Sequence, residues 1–233
     1  MRRILLLILC LLPFAARADA LLLPTPYVQV TGHGALNVTP DMLRISLTVE
    51  QTDKNLSVAK NSVTDRVQKI IALAKRLGIA ARDIDATVIY IAPQYDWQNN
   101  TRRYLGQHVS RSVRLTLRDI NAYSDLVDGL VKIGVTSIDS VLADHSDLAK
   151  LKTQALALAV QDAHAKAAAL AASADVTLGP VYSISENAGF NLPRPPLMAD
   201  ARMAAVPGGN GYNPGNIEIT ADVQMVYLIK QVH

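Results

Sequence analysis

The stretch ALALAVQDAHAKAAALAASA, residues 155–174, carries alanine at 155, 157, 159, 163, 165, 167, 168, 169, 171, 172 and 174. Alanine is the strongest helix former, and a run of it makes a thin cylinder with no bulky side chain to hold a neighbour away. A sheet or a second helix can therefore lie close against this one. Replacing Ala159 or Ala163 with leucine is expected to overpack that contact, at a cost of about 1–3 kcal/mol. The helix is predicted from about 147 to 174.

Periodicity places most other elements. In MLRISLTVE the apolar Leu43, Ile45, Leu47 and Val49 alternate with Arg44, Ser46, Thr48 and Glu50, the pattern of a strand with one wet face. A helix follows, with Leu56, Ala59, Val63, Val67, Ile70, Ala74 and Leu77 recurring every three or four residues. Thr52 or Asp53 is its expected cap, and Gly78 its stop. IDATVIYIAP reads as a second strand ended by Pro93, and HVSRSVRLTLRD as a third, with Val109, Val113, Leu115 and Leu117 on its dry side. Asp119 then caps a shorter helix over 120–133, which Gly134 stops.

The second part of the chain repeats this grammar without residue-level identity: strand 136–143, the long helix, strand 178–187, a Pro/Gly-rich loop and strand 216–229. An α+β fold follows, built of two strand-helix-strand-strand halves. Antiparallel or mixed sheets are covered by helices, among them the long alanine-rich one. Each strand-helix-strand unit is expected to cross over right-handed, and each long loop to join antiparallel neighbours.

The first twenty residues stand apart. Arg2 and Arg3 precede the apolar run ILLLILCLLP, and two small-x-small sites follow, Ala16-Arg17-Ala18 and Ala18-Asp19-Ala20. That order of regions predicts an export signal over 1–20, cleaved at one of the two sites. The run is far short of the roughly 20 residues that span a bilayer. Leu9 before Cys10 disfavours lipid attachment there, which wants a small residue at that place. Without 1–20 the 23 basic residues lose Arg2, Arg3 and Arg17, and the 20 acidic ones lose Asp19, leaving 20 against 19. The exported protein is then nearly neutral despite a whole-chain pI of about 9.0, with no clustered basic face of the kind nucleic acid needs. Cys10 is the only cysteine, so after cleavage there is no disulfide, thiol nucleophile or cysteine metal site. No second stretch approaches spanning length, so a soluble protein in the periplasm or outside the cell is expected.

A search for catalytic spacing finds no Gly-x-Ser-x-Gly elbow, His-Glu-x-x-His, phosphate-binding loop or paired-cysteine motif. The histidines at 33, 108, 145, 164 and 233 are scattered, no two at the i, i+4 spacing of helical metal ligands. Asp144, His145 and Ser146 are the residue types of a hydrolytic triad, but sequence neighbours cannot face one another in the required order. Asp144 or Ser146 reads instead as the cap of the long helix. Asp162 and Lys166 stand four apart in the favourable acid-first order and read as a surface pair worth a few tenths of a kcal/mol. No cofactor is implied.

Two loops could bind something. PQYDWQNNTRRYLG, residues 93–106, carries Tyr95, Trp97 and Tyr104 beside Arg102 and Arg103, in a chain where aromatics are scarce. Such side chains either anchor a binding surface or fold back to cover the end of the sheet. Residues 188–216 mix proline and glycine with Phe190, Leu197, Met198 and Met203, and read as a flap or as an arm that docks on a neighbouring subunit.

VTGHGALNVTPDMLRISLTVE, DIDATVIYIAPQY, VRLTLRD, GLVKIGVTSIDSV, ALALAVQDAHAKAAALA, LGPVYSISE and PGNIEITADVQMVYLI occur in the order seen in the SIMPL-domain family. This ordered set, over about 27–230, resembles that YggE-like group of periplasmic immunogenic and oxidative-stress-defence proteins of Gram-negative bacteria. Gly32, Gly34, Pro40 and Asp41 match the family's opening Gly-x-Gly and Pro-Asp. Asp162, Lys166 and Ala167 match its helical Asp-Ala-x-x-Lys-Ala. Pro207-Gly208 or Pro214-Gly215 matches the Pro-Gly before its last strand. The chain departs from the pattern at His164, where arginine is common, and at Gln107, where an aromatic is common.

The resemblance implies one SIMPL domain over 21–233, with a subdivision near 119–135 as the alternative, and brings no established catalytic residues. TGHGALNVTPD accordingly reads as architecture. Gly32 and Gly34 permit unusual dihedrals or close approach, Thr39-Pro40-Asp41 turns into the strand at 42–50, and His33 is solvated. What is expected is a non-enzymatic envelope protein that acts through homo-oligomeric, ring- or channel-like assembly or through binding, with an envelope protein as the other partner. The resemblance places it in the periplasm or at the outer membrane, in envelope or oxidative-stress defence. The alternative is a small-ligand binding protein or hydrolase with a pocket beside the 93–107 loop.

Overall fold

The computed structural model describes residues 25–86, 88–98, 100–187 and 214–231. The expected export signal lies outside them, as do Phe190, Leu197, Met198 and Met203. In chain order the elements are β1 (Tyr27–Val38), β2 (Met42–Asp53), α1 (Leu56–Arg76), β3 (Ile84–Asp85), β4 (Ile89–Gln98), β5 (Thr101–Leu117), α2 (Tyr123–Ile133), β6 (Ser137–Asp144), α3 (Leu148–Ser173), β7 (Val176–Asn187) and β8 (Ile217–Gln231).

The α+β reading holds, and every ladder is antiparallel. A five-stranded sheet runs β3-β5-β2-β6, with β4 also paired to β5; a three-stranded sheet runs β1-β8-β7. With β3 and β4 taken as one interrupted strand, β2 to β6 form a split β-α-β-β-α-β unit. β5 lies between β2 and β3, and β2 lies between β5 and β6.

The assignment of strands to halves differs from expectation. β6 pairs with β2 rather than joining β7 and β8, so β6-α3-β7 links two sheets and is not a crossover within one. The vacant place beside β8 goes to β1, whose TGHG stretch reads from sequence as architecture without being assigned to a strand. It runs straight, in register from Tyr27 opposite Leu228 to Val38 opposite Ile217.

The larger core lies between the five-stranded sheet and helices α1 and α2. Leu43, Ile45, Leu47 and Val49 from β2 meet Val63, Val67 and Ile70 from α1, Val113 and Leu115 from β5, and Leu126 and Leu130 from α2. Each such side chain contributes about 1.5–3 kcal/mol by leaving water. The 119–135 stretch belongs to this core. Asp119 Oδ1 accepts from the Asn121 N–H at 3.1 Å at the head of a short 3-10 turn, and Gly134, at φ +81°, ends α2.

The α1 cap is shifted from its expected place. Thr52 and Asp53 stay in β2, and Asn55 Oδ1 accepts the Ser57 N–H at 2.9 Å. Gly78, at φ +82°, follows the helix as read.

The smaller core joins α3 to β1 and β8 through Ala159, Ala163, Ala167, Val30, Val223, Met225 and Tyr227. Here the glycines act by close approach, not by unusual dihedrals. A Cβ on Gly32 would lie 2.0 Å from the Ala159 carbonyl oxygen, and one on Gly34 2.0 Å from that of Ala155.

Neither expected residue caps α3. Asp144 is buried, accepts the His145 N–H at 2.8 Å and pairs with Arg44 at 2.5 Å. Ser146 gives its N–H and hydroxyl to the Asp41 carboxylate at 2.7 and 2.5 Å. These bonds fasten the two points where the chain passes between the sheets, β1 to β2 and β6 to α3.

Candidate functional site

The stretch expected to be a loop at 93–106 is a β-hairpin. β4 and β5 pair from Ile89 opposite Arg111 to Gln98 opposite Thr101. Just before Thr101, Asn100 takes φ +60°, a conformation asparagine tolerates. Pro93 does not end the strand: β4 has β5 as its one partner, and proline is accepted on such an edge.

The hairpin outruns its sheet. β2 pairs with β5 only as far as Asp53 opposite Gln107. Residues 94–98 and 101–106 continue as a two-stranded arm of about 20 Å. The arm leaves the sheet where the pairing slips, between Gln94 and Tyr95. There Gly106 takes φ +148°, and a Cβ on it would lie 2.5 Å from the Asp53 carbonyl oxygen.

Alternation along the arm sorts the expected binding residues by face. Tyr95 stands opposite Tyr104 and Trp97 opposite Arg102, so these four share one face. Asp96 stands opposite Arg103 on the other. The Tyr95 and Tyr104 rings lie 5.4 Å apart, tilted by 59°. The Arg102 guanidinium carbon sits 3.6 Å from the Tyr95 ring centre, a cation held against the π-face. The rings do not cover the end of the sheet: Trp97 is 68% exposed, Tyr95 39% and Tyr104 40%.

The aromatic face extends along β4. Ile89, Ile91 and Pro93 alternate into line with Tyr95 and Trp97, giving five apolar side chains on one side. Ile91 stands opposite the buried Val109, so this is the side that α1 covers over β2 and β5. Over β4 that cover stops, and Ile89 and Ile91 are 38% and 42% exposed. Sequence reading singled out the aromatic end of this strip and missed the aliphatic end, because IDATVIYIAP reads equally well as a buried strand.

The root of the arm holds a row that sequence reading also missed. The Thr52 hydroxyl lies 3.1 Å from His108 Nδ1 and donates to Gln94 Oε1 at 2.5 Å, while His108 Nε2 lies 3.5 Å from the Glu50 carboxylate. Hydroxyl, imidazole and carboxylate invite comparison with a nucleophile and its base, but the hydroxyl proton is directed elsewhere. With its proton given to Gln94 Oε1, the Thr52 hydroxyl does not donate to the ring, whereas a nucleophile must give its proton to the ring. The row braces β2, β4 and β5 where the arm departs. Its members are far apart in sequence and come together only through the register of β2 with β5.

The other face of the five-stranded sheet is polar. A cavity of about 300 Å³ opens there, with Arg44, Arg82, Asp83, Asp85 and Arg114 in its lining and no residue from 93–107. Its charges are paired, Arg114 with Asp85 and Arg118 with Asp83 at 3.0 Å. Among the described residues no cluster of three His, Asp or Glu could hold a metal ion. No described helix is long and apolar enough to cross a membrane.

The opening glycines and the helical Asp-x-x-x-Lys form one device. Asp162 and Lys166 are paired at 2.6 Å, and both also reach β1. Asp162 Oδ2 accepts the His33 N–H at 2.8 Å, and Lys166 Nζ donates to the Thr31 carbonyl at 3.1 Å. They are thus more than a surface pair within the helix. The Lys166 ammonium first, and the His33 N–H second, hold the Asp162 carboxyl below its ordinary pKa of 3.8. His33 is half exposed, but its Nδ1 lies 2.7 Å from Asp222 Oδ1 and is not simply solvated. His164 packs edge-on against Tyr227, ring centres 5.9 Å apart.

Known proteins align with most of this chain at 27% to 33% identity. A protein of Edwardsiella ictaluri named "Uncharacterized protein YggE" is 33% identical over 187 residues, covering 79% of this chain and 77% of its own. The Escherichia coli K12 protein of the same name is 27% identical over 208 residues, 89% of this chain and 85% of its own. The "26 kDa periplasmic immunogenic protein" of Brucella melitensis is 29% identical over 231 residues, 94% and 91%. Among solved structures, an amidohydrolase/peptidase of Burkholderia cenocepacia aligns over 56% of this chain at a TM-score of 0.20 and 9% identity, too weak to bear on fold or activity. The profile of the SIMPL family, described as a protein of unknown function (DUF541), matches residues 28–227, and the chain belongs to that family.

Proposed function

We propose that this is an exported, non-enzymatic envelope protein that works by contact, through assembly with further copies of itself or through binding, and that the β4–β5 arm is its contact element. The observation that carries the reading is the uncovered strip from Ile89 to Trp97, which ends in three exposed rings and Arg102. Buried strands place such side chains in a core; here they face outward on a braced, projecting hairpin. Exposed aromatic and arginine side chains gathered on one face are what anchored interfaces use. The periplasmic name of the Brucella relative supports location in the envelope space, and a role in envelope or oxidative-stress defence is the service the family resemblance suggests. The segment 188–216 remains a second candidate for docking.

A photo-cross-linking residue at position 97, introduced in the living cell, tests this. Val131 on α2, 71% exposed, serves as the control. Adducts at 97 that are absent at 131 are expected. Equal labelling at both positions would sink the contact reading.

A second reading is favoured by the cavity on the polar sheet face, which would take a small polar ligand between Arg44, Asp85 and Arg114. A ligand screen by thermal shift, in which hits are lost in Arg114→Ala but kept in Trp97→Ala, would support it over the first.

A further inference from the structure

The chemistry of the strip narrows what it touches. We infer that its partner is an anionic phospholipid surface, on which the apolar side of β4 lies; this rests on the arm being a contact element. The β4 strip supplies Ile89, Ile91, Pro93, Tyr95 and Trp97. On the same face of the arm β5 adds the cation Arg102, opposite Trp97, and no carboxylate, whereas Arg111, opposite Ile89, is partly buried and donates to the Ala86 carbonyl. The arm's acid, Asp96, points to the opposite side, where its carboxylate accepts the Trp97 N–H at 2.8 Å. Indole and phenol rings have an apolar body and a polar tip, and they settle at the headgroup level of a bilayer. A guanidinium beside them is drawn to anionic headgroups, with about fivefold in affinity per charge.

Two other occupants fit less well. Strand addition by a second copy is opposed by Pro93, which has no N–H, and by the break in pairing between Gln94 and Tyr95; both features blunt an edge. A sugar stacking on Tyr95 would have to displace Arg102, already 3.6 Å from the ring centre.

Trp97 is the chain's only tryptophan, so its emission reports this face alone, whether or not residues 1–20 are present. The protein is titrated with vesicles of phosphatidylglycerol and phosphatidylcholine, and separately with vesicles of phosphatidylcholine only. The expected result is a blue shift with the anionic vesicles, quenching by bromine-labelled acyl chains, and reversal by salt. Arg102→Glu, a change of two charge units, weakens the apparent affinity by roughly 20-fold or more. Trp97→Phe, followed by co-sedimentation, checks the same loss without the probe. A shift that grows with protein concentration in the absence of lipid would overturn the lipid inference and leave the contact reading standing. A shift only with soluble glycan fragments would do the same. Emission unchanged under all of these conditions would overturn both.

Discussion

The carboxylate of Asp162, on α3, accepts the backbone N–H of His33, on β1, at 2.8 Å, and Lys166 one turn later donates to the carbonyl of Thr31. Groups two residues apart on a strand point the same way, here to the side of β1 that β8 does not occupy. An uncovered strand edge is a template for another chain. The two ends of this ion pair cover one donor and one acceptor on that edge, which gives the spacing of Asp162 and Lys166 a reason that helix stability alone does not.

Asp162→Ala should therefore expose the His33 amide. In amide hydrogen exchange its protection is expected to fall at least tenfold, about the loss of one net hydrogen bond. Amides of β1 that pair with β8 should keep theirs. Uniform loosening of the whole strand would show instead that the pair holds the sheet together.

The glycines set how near α3 can come. A methyl at Gly32 would meet the Ala159 carbonyl oxygen at 2.0 Å and the Ala163 nitrogen at 2.6 Å, both backbone atoms that no rotamer change can move. Gly32→Ala is expected to cost about 3 kcal/mol or more in urea unfolding, at or above the usual range for overpacking. An unchanged midpoint would mean that α3 stands off β1 in solution.

This contact also explains where sequence reading stopped. Val30, Gly32 and Gly34 alternate toward α3 as strand residues do, but glycine carries no apolar signal, so the stretch was not assigned to a strand. The alanines announced a close neighbour without saying which one. The β2 and β5 strands and the two flanking helices were legible because large apolar side chains mark their buried faces. The arm was legible only in composition. Proline and asparagine suggested a loop, and the pairing that sorts Tyr95, Trp97, Arg102 and Tyr104 onto one face arises from register. Neither the Thr52–His108–Glu50 row nor the place of β6 beside β2 has any local sequence signal.

Gly106 sets the direction of the arm. Its φ of +148° and the 2.5 Å approach to the Asp53 carbonyl leave no room for a side chain. Gly106→Ala is expected to lose about 2 kcal/mol and to redirect the hairpin. Because β2 and β5 pair beyond this point, the core should stay folded, and the Tyr95 to Tyr104 ring contact, which lies wholly within the arm, should move with it. The distance between spin labels at positions 97 and 131, on the arm and on α2, measures the redirection; an unchanged distance would mean that the glycine is not the hinge of the arm.

Asp41 makes the junction between the sheets sensitive to acid. Burial works to raise its carboxyl pKa, but the hydroxyl and N–H of Ser146, with His145 nearby, outweigh burial and hold it below 3.8. A carboxyl whose pKa is lower in the folded state contributes stability that is fully present above the unfolded value and disappears as pH falls through the folded one. The junction should thus keep its full strength above about pH 4 and weaken below it. Ser146→Ala removes the two side-chain partners' bond through the hydroxyl, lets the carboxyl return toward its ordinary value, and should flatten the loss of stability between about pH 4 and pH 2. Urea unfolding across that range, wild type beside variant, measures the slope directly. Parallel curves would mean that the acid sensitivity of the fold lies in other carboxylates, such as Asp83 beside Arg118.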